Sequence, residues 1–204
     1  MRQAQRARID PVFRFDADDH VYTLDNVIIP SVTQMLERHG LVSEAFYTED
    51  SAERGYQVHR LCAEYDLGGI EDLSRCDSVY KTWLLAYVTF IQTVAPTWAS
   101  VEEAFASIVY RFGGRPDRVG KVWGVESIVE LKSGAMEPWH GVQTALHDIL
   151  IGDLPVGVRK RYGLYLMRNG KFRLVPHDGS EPRCSQGRRD YDKAYEVIRQ
   201  CAGR

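Results

Sequence analysis

Apolar and polar positions alternate with a period of two at the start of the chain, then settle into helical stripes. Val12 to Phe15 and His20 to Leu24 alternate as strands, Asp25-Asn26 supplies a turn, and Val27 to Ile29 forms a short apolar return. Pro30 stops that strand, and Ser31-Val-Thr-Gln34 is a capping-box sequence, predicting a helix from Val32 to His39 with Gly40 as its stop. Val58, Leu61 and Tyr65 fall at helical spacing within Ser51 to Asp66, ahead of Gly68-Gly69. Trp83, Tyr87, Phe90 and Ile91 mark a further helix from Ser78 to Val94, ended by Pro96.

The period then changes. Val101 to Phe112 reads as a strand, Gly113-Gly114 as a turn, Arg115 to Trp123 as a second strand, and Gly124 as a turn into Val125 to Lys132. The run Ser127 to Lys132 has the apolar density of a central strand. Pro138 suits the first turn of a helix reaching Leu150. Strands Arg161 to Met167 and Lys171 to Pro176 flank an Asn169-Gly170 turn, and a helix from Arg188 to Cys201 closes the chain. This order predicts an α/β fold with a mixed central sheet flanked by helices. It divides into an N-terminal hairpin and helix (1–40), a core (51–176) and a basic C-terminal helical segment (177–204), all within one domain spanning 1–204.

Composition adds little until the chain is split. The 204 residues are 44 % hydrophobic, 11 % aromatic and 26 % charged, enough to bury a core and to exclude wholesale disorder. The longest uncharged stretch, Thr82 to Val101, carries Thr, Gln and Pro and is no membrane span; Met1 to Arg8 is basic with no apolar region after it. Four cysteines without a CxxC pair fit a reducing compartment, so a cytoplasmic protein is expected. Residues 1–150 hold 14 Lys/Arg against 22 Asp/Glu, a net of −8; residues 151–204 hold 12 against 6, a net of +6. An acidic body with a basic C-terminal quarter suits a metal-using enzyme acting on a polyanion.

Polar residues inside strand-like surroundings need a reason, because burying them is costly. Glu130 and Lys132 lie two apart on one strand and so point to one face. If that strand pairs with the preceding one, Asp117 joins them at one end of the sheet. Two carboxylates and an ammonium in one place suit a hard divalent cation, which takes carboxylate oxygens and keeps several waters. An isolated D…ExK is ordinarily a surface hairpin with weak ion pairs. Here Val129 and Leu131 alternate with the charged pair, and further motifs accompany it.

Those motifs are Gly114-Arg-Pro-Asp117, Val129-Glu-Leu-Lys-Ser-Gly134, Glu53-Arg-Gly-Tyr-Gln-Val-His59, Trp139-His-Gly-Val-Gln143-Thr-Ala-Leu-His147 and Ile29-Pro-Ser-Val-Thr-Gln-Met-Leu36. In the order they take along the chain they resemble the PD-(D/E)XK nucleases, in the RecB-like, phage-type exonuclease branch, over roughly Val21 to Leu174. The resemblance implies a restriction-endonuclease-like core. It implies Asp117 as the central metal ligand, Glu130 as a second carboxylate, the Leu131 carbonyl as a third oxygen and Lys132 as the residue positioning the attacking water. His59 would bind a second metal or the phosphate, and Gln143 a backbone phosphate. A carboxylate at the start of the preceding strand often completes such sites; Glu102 fits by spacing and is preferred to Glu103, the competing choice that strand alternation places with Phe105 on one face. His147 stands where the family usually carries tyrosine.

The function so implied is a Mg²⁺-dependent DNA exonuclease, with Mn²⁺ able to substitute, serving recombination or DNA processing in a phage or bacterium. The alternative is a nuclease-fold protein, inactive or nearly so, that binds nucleic acid or a protein partner. DNA contacts are expected from Arg54, Arg118, Gln143, His147, Arg159 and Arg161, with Lys160, Arg168, Lys171, Arg173, Arg188 and Arg189 as further cations. Cys184 and Cys201 stand far apart with no cluster spacing, so no iron–sulfur cluster is expected. GxxxxGK[ST] is absent, which makes any helicase or recombination partner a separate chain. The family allows a homo-oligomer.

Overall fold

The structure is a computed structural model that describes residues 11–42, 48–70, 72–73, 76 and 79–202. The basic stretch Met1 to Arg8 and the expected start of the third helix at Ser78 lie outside the described residues. Strands β1 (Phe13–Asp16), β2 (Val21–Leu24) and β3 (Val27–Ile29) form an antiparallel sheet in that order. Helix α1 (Val32–Arg38) begins at a complete capping box, with Ser31 Oγ accepting from the Gln34 amide at 3.1 Å and Gln34 Oε1 accepting from the Ser31 amide at 3.0 Å. Helices α2 (Glu49–Asp66) and α3 (Lys81–Val94) follow.

The central sheet has five strands in the order β10-β9-β8-β7-β4. They are β4 (Thr97–Val101), β7 (Arg118–Val122), β8 (Val125–Lys132), β9 (Lys160–Leu166) and β10 (Phe172–Pro176). Only the β8–β9 pair is parallel, because helix α4 (Trp139–Ile151) carries the chain between them; the sheet is therefore mixed. One apolar cluster joins α2 and α3 to Val129, Leu131, Tyr162 and Leu164 of the sheet. A second joins α1 to α4 and to α5 (Arg188–Ala202) through Val32, Leu36, Leu146, Ala194 and Ile198. Helices thus flank the sheet, and the strand end at Lys132 opens between α2 and α4.

The expected strand from Val101 to Phe112 is broken. Glu102 adopts a left-handed φ of 52° and its amide donates to the Asp117 carbonyl at 3.0 Å, so the chain leaves β4 and forms a separate hairpin, β5 (Phe105–Ser107) with β6 (Phe112–Gly114). Gly113-Gly114 belongs to β6 rather than to a turn. A Cβ on Gly113 would lie 2.4 Å from the Tyr22 ring, so glycine here lets the N-terminal sheet pack directly onto β6. The Gly113 amide also donates to the Pro30 carbonyl at 2.9 Å, tying the two sheets together. All four cysteines are free thiols. Among the described residues, no helix is long and apolar enough to cross a membrane.

Candidate metal centre

Helix α2, the β4–β5 corner, the bend before β7 and the end of β8 meet around one cleft of about 510 Å³. Asp117 sits on that bend, one residue before β7 begins. The antiparallel register pairs Arg118 with Val129, which sets Asp117 beside Glu130. The Leu131 amide donates to Asp117 Oδ2 at 2.6 Å, and the Asp117 amide donates to Glu130 Oε1 at 3.3 Å. Each carboxylate is therefore fixed by a backbone amide of the segment opposite, Asp117 by β8 and Glu130 by the bend before β7, and both are buried.

His59 reaches the same point from α2. Its Nδ1 lies 3.2 Å from Asp117 Oδ1 and 3.7 Å from Glu102 Oε1, while Nε2 lies 3.0 Å from the Leu131 carbonyl, to which it donates. Burial alone would lower the His59 pKa, but Asp117 and Glu102 outweigh it and push it up to about 10. Burial likewise acts to raise Asp117, yet His59, Lys132 and Arg118 outweigh it and hold that carboxyl below the usual carboxylate range. The carboxylates of Asp66, Glu102, Asp117 and Glu130 face three cations, Arg115, Arg118 and Lys132, and the His59 imidazolium balances the remainder.

Three donor atoms, from His59, Glu102 and Asp117, lie within 4.8 Å of one another. Glu102 Oε1 is buried and has no hydrogen-bond partner, and the Leu131 carbonyl orients the ring so that Nδ1 faces the carboxylates. An imidazole nitrogen and two carboxylate oxygens, with Glu102 Oε1 buried and lacking a hydrogen bond, fit a divalent cation such as Mg²⁺ or Mn²⁺. These residues would hold it with His59 deprotonated at Nδ1.

The other expected residues divide into those in the cleft and those elsewhere. Glu130 lines the cleft outside the three-residue group: its Oε1 takes His147 Nδ1 at 2.7 Å and its Oε2 lies 3.7 Å from Lys132 Nζ. Lys132 Nζ also donates to Gln143 Oε1 at 2.8 Å, so α4 supplies the residue that aims the ammonium. The Leu131 carbonyl accepts from His59 Nε2 at 3.0 Å. Glu102 enters the cleft and Glu103 is exposed outside it, because the left-handed turn at Glu102 cancels strand alternation there. Arg54 lines a neighbouring cleft and is half-buried.

Four of the expected DNA contacts are corrected by burial. Arg118 has no exposed surface; its Nε donates to Asp66 Oδ2 at 2.6 Å, and its Nη1 donates to the Asp117 carbonyl at 2.6 Å. His147 is 3 % exposed and holds Glu130. Arg159 pairs with Asp148 and Asp153, and Arg161 donates to the carbonyls of Gly141 and His177 beside Asp190. These arginines tie α4, β9 and α5 together and present no charge to a ligand. Lys160, Arg168, Lys171, Arg173, Arg188 and Arg189 are exposed.

Asp66, Tyr87 and Arg115 escaped the sequence reading. Asp66 lies seven residues after His59, two turns along the same face of α2, and that spacing is its only signal. Arg115 Nε pairs with Glu102 Oε2 at 3.1 Å and lines the cleft. No protein-family model and no curated protein matches this chain.

Proposed function

We propose that this chain is a divalent-cation-dependent DNA exonuclease of the PD-(D/E)XK type, its mixed sheet being a restriction-endonuclease-like core. The observation that carries the reading is the meeting of His59, Glu102, Asp117, Glu130 and Lys132 in one cleft, from four segments distant in sequence. Their order and spacing resemble the RecB-like branch, which supports DNA as the substrate and phage or bacterial DNA processing as the setting.

Hydrolysis adds water across a P–O bond: the water oxygen attacks phosphorus in line, the ester oxygen departs, and it takes up a proton. A bound Mg²⁺ or Mn²⁺ would supply charge relief on the phosphate and a more acidic water. Lys132, aimed by Gln143, faces that reaction with an ammonium that stabilises negative charge developing on the phosphoryl oxygens and orients the water. Glu130 holds Lys132 at 3.7 Å, and His147 holds Glu130, so neither charge has to reorganise during reaction. Arg115 stands at the cleft wall as a further phosphate contact.

The test is degradation of linear DNA with Mg²⁺ or Mn²⁺, comparing the native chain with Asp117→Asn and Lys132→Met. Each variant should lose about 10²–10³-fold in rate while retaining oligonucleotide affinity in chelator. Equal degradation by all three proteins refutes the assignment, and DNA binding without hydrolysis in the native chain leaves the inactive nuclease-fold alternative.

A further inference from the structure

A second cleft of about 480 Å³ opens beside the first and shares Gly55, His59, Lys132 and Gln143 with it. Its walls differ in character: Leu41, Ala52, Ala135 and Trp139 make it largely apolar, and Arg54 enters from α2. Its size lies within the roughly 300–1,000 Å³ range of small-ligand sites. Lys132 Nζ lies 5.4 Å from the centroid of the Trp139 ring, so the ammonium that serves the metal cleft also borders this one.

Two features ask for an occupant. The Nε of Arg54 is buried and has no hydrogen-bond partner among the described residues, while the half-buried side chain lines the cleft and brings a guanidinium to it. Gly55 sits inside the 18-residue helix α2, where glycine is weaker than alanine, and a Cβ there would meet nothing within 4 Å. The packing of the chain therefore does not require glycine at this position. The bare Cα instead keeps open the wall that both clefts share.

We propose that the second cleft seats the unpaired nucleotide next to the phosphate being cut, its base against Trp139 and its far phosphate on Arg54, with the strand crossing between the clefts over Gly55. Glu137 on the cleft wall suits the amino and imino donors of a base edge and disfavours a second phosphate there. A base still paired in a duplex cannot enter, so the substrate is single-stranded DNA or a frayed end. This inference rests on the nuclease reading of the metal centre.

The experiment uses fluorescence anisotropy in chelator with labelled dodecathymidylate and with an abasic dodecamer of equal charge. The native chain should bind the thymidylate ~5–150-fold more tightly than the abasic strand, the range set by base–aromatic stacking. Trp139→Leu should abolish most of that difference. Gly55→Leu grows into open space, so its melting temperature should match or exceed that of the native chain while thymidylate affinity falls at least ~10-fold. Arg54→Gln should lower the salt slope of binding by about one. Native preference for thymidylate over abasic strand in both Trp139→Leu and Gly55→Leu overturns the proposal, whatever the chain does to DNA. A native chain that discriminates the two strands, loses that discrimination in the variants, and yet cleaves no DNA with Mn²⁺ supports the cleft and refutes the catalytic reading instead.

Discussion

Replacing Asp66 by asparagine should be among the most damaging single changes outside the metal ligands. Asp66 closes α2 and receives two donors through one oxygen: Tyr87 Oη at 2.5 Å and Arg118 Nε at 2.6 Å. The Asp66 side chain is 5 % exposed and that of Arg118 is fully buried, so water cannot compensate when the carboxylate charge is lost. Breaking one side of such a buried pair costs about 3–5 kcal/mol. In a chain of this size, 1 kcal/mol moves the melting temperature by about 2–4 °C, so a fall of about 6–20 °C is expected. Arg118 Nη2 is already buried without a partner, meaning that the guanidinium is imperfectly satisfied even in the native fold. The apolar double replacement Asp66→Leu with Arg118→Met should therefore recover most of the loss, returning to within about 1–2 kcal/mol of the native protein. Urea denaturation followed by far-ultraviolet circular dichroism, in chelator and at constant slope, compares Asp66→Asn with the native chain and completes the cycle of native, Asp66→Leu, Arg118→Met and the double variant. An Asp66→Asn midpoint within 1 kcal/mol of native, or a double variant less stable than either single one, refutes this account of the pair.

Other expectations follow from the same contacts. Burial, together with Arg161 and Lys132, pushes the His177 pKa down to about 3, so the folded state refuses a proton that the unfolded chain accepts below about 6.5. Stability should fall as pH drops from 6.5 toward 3, and His177→Asn should flatten that slope in urea midpoints taken across the range. His59 has the opposite sign: its pKa is raised to about 10, so its contribution in chelator is complete below about 6.5 and disappears as pH rises through 10. Thermal melts of His59→Gln should lack that alkaline loss. Gly55→Ala should raise stability by about 0.5–1 kcal/mol, read from the urea midpoint. Mn²⁺ should bind more tightly than Mg²⁺ in calorimetry because one donor is an imidazole, and His59→Gln should narrow that preference.

What sequence made legible was the part of the site governed by local period. The two-residue spacing of Glu130 and Lys132 put both on one face of β8, and the tight turn at Gly124 brought β7 alongside, so Asp117 arrives where the pattern expected it. Periodicity also gave the helix that holds His59, whereas the expectation of His59 at the site came from the resemblance of the Glu53 to His59 motif. It gave no means of seeing that Glu102 turns through a left-handed φ, because nothing in Val101-Glu102-Glu103 marks a break; the turn is imposed by the amide of Glu102 binding the Asp117 carbonyl. The tertiary hydrogen bond decided which of two adjacent carboxylates points inward.

The arginines fail for a different reason. A charge read from sequence is assigned by default to solvent or to a ligand, since long charged side chains are rarely buried unless paired. The partners that bury two of them lie far off in the chain: Asp66 is 52 residues from Arg118, and His177 and Gly187 follow Arg161 by 16 and 26; Arg159 instead finds Asp153 six residues away and Asp148 through the packing of α4 against β9. The pairs Arg159–Asp153 and Arg161–Asp190 lie within the C-terminal quarter and are already counted in its +6, and Asp148, outside that quarter, offsets Arg159 further, so the charge a polyanion would feel there sits on the exposed cations. The exposed remainder includes Arg168 and Lys171 on the β9–β10 turn, at the same sheet end as Lys132, since Lys132 pairs with Tyr165 in the parallel register. If the chain binds DNA, its salt dependence should be carried by that turn and by Arg54. Arg168→Gln with Lys171→Gln should lower the slope of log affinity against log salt by about one to two, whereas Arg161→Gln should change stability first.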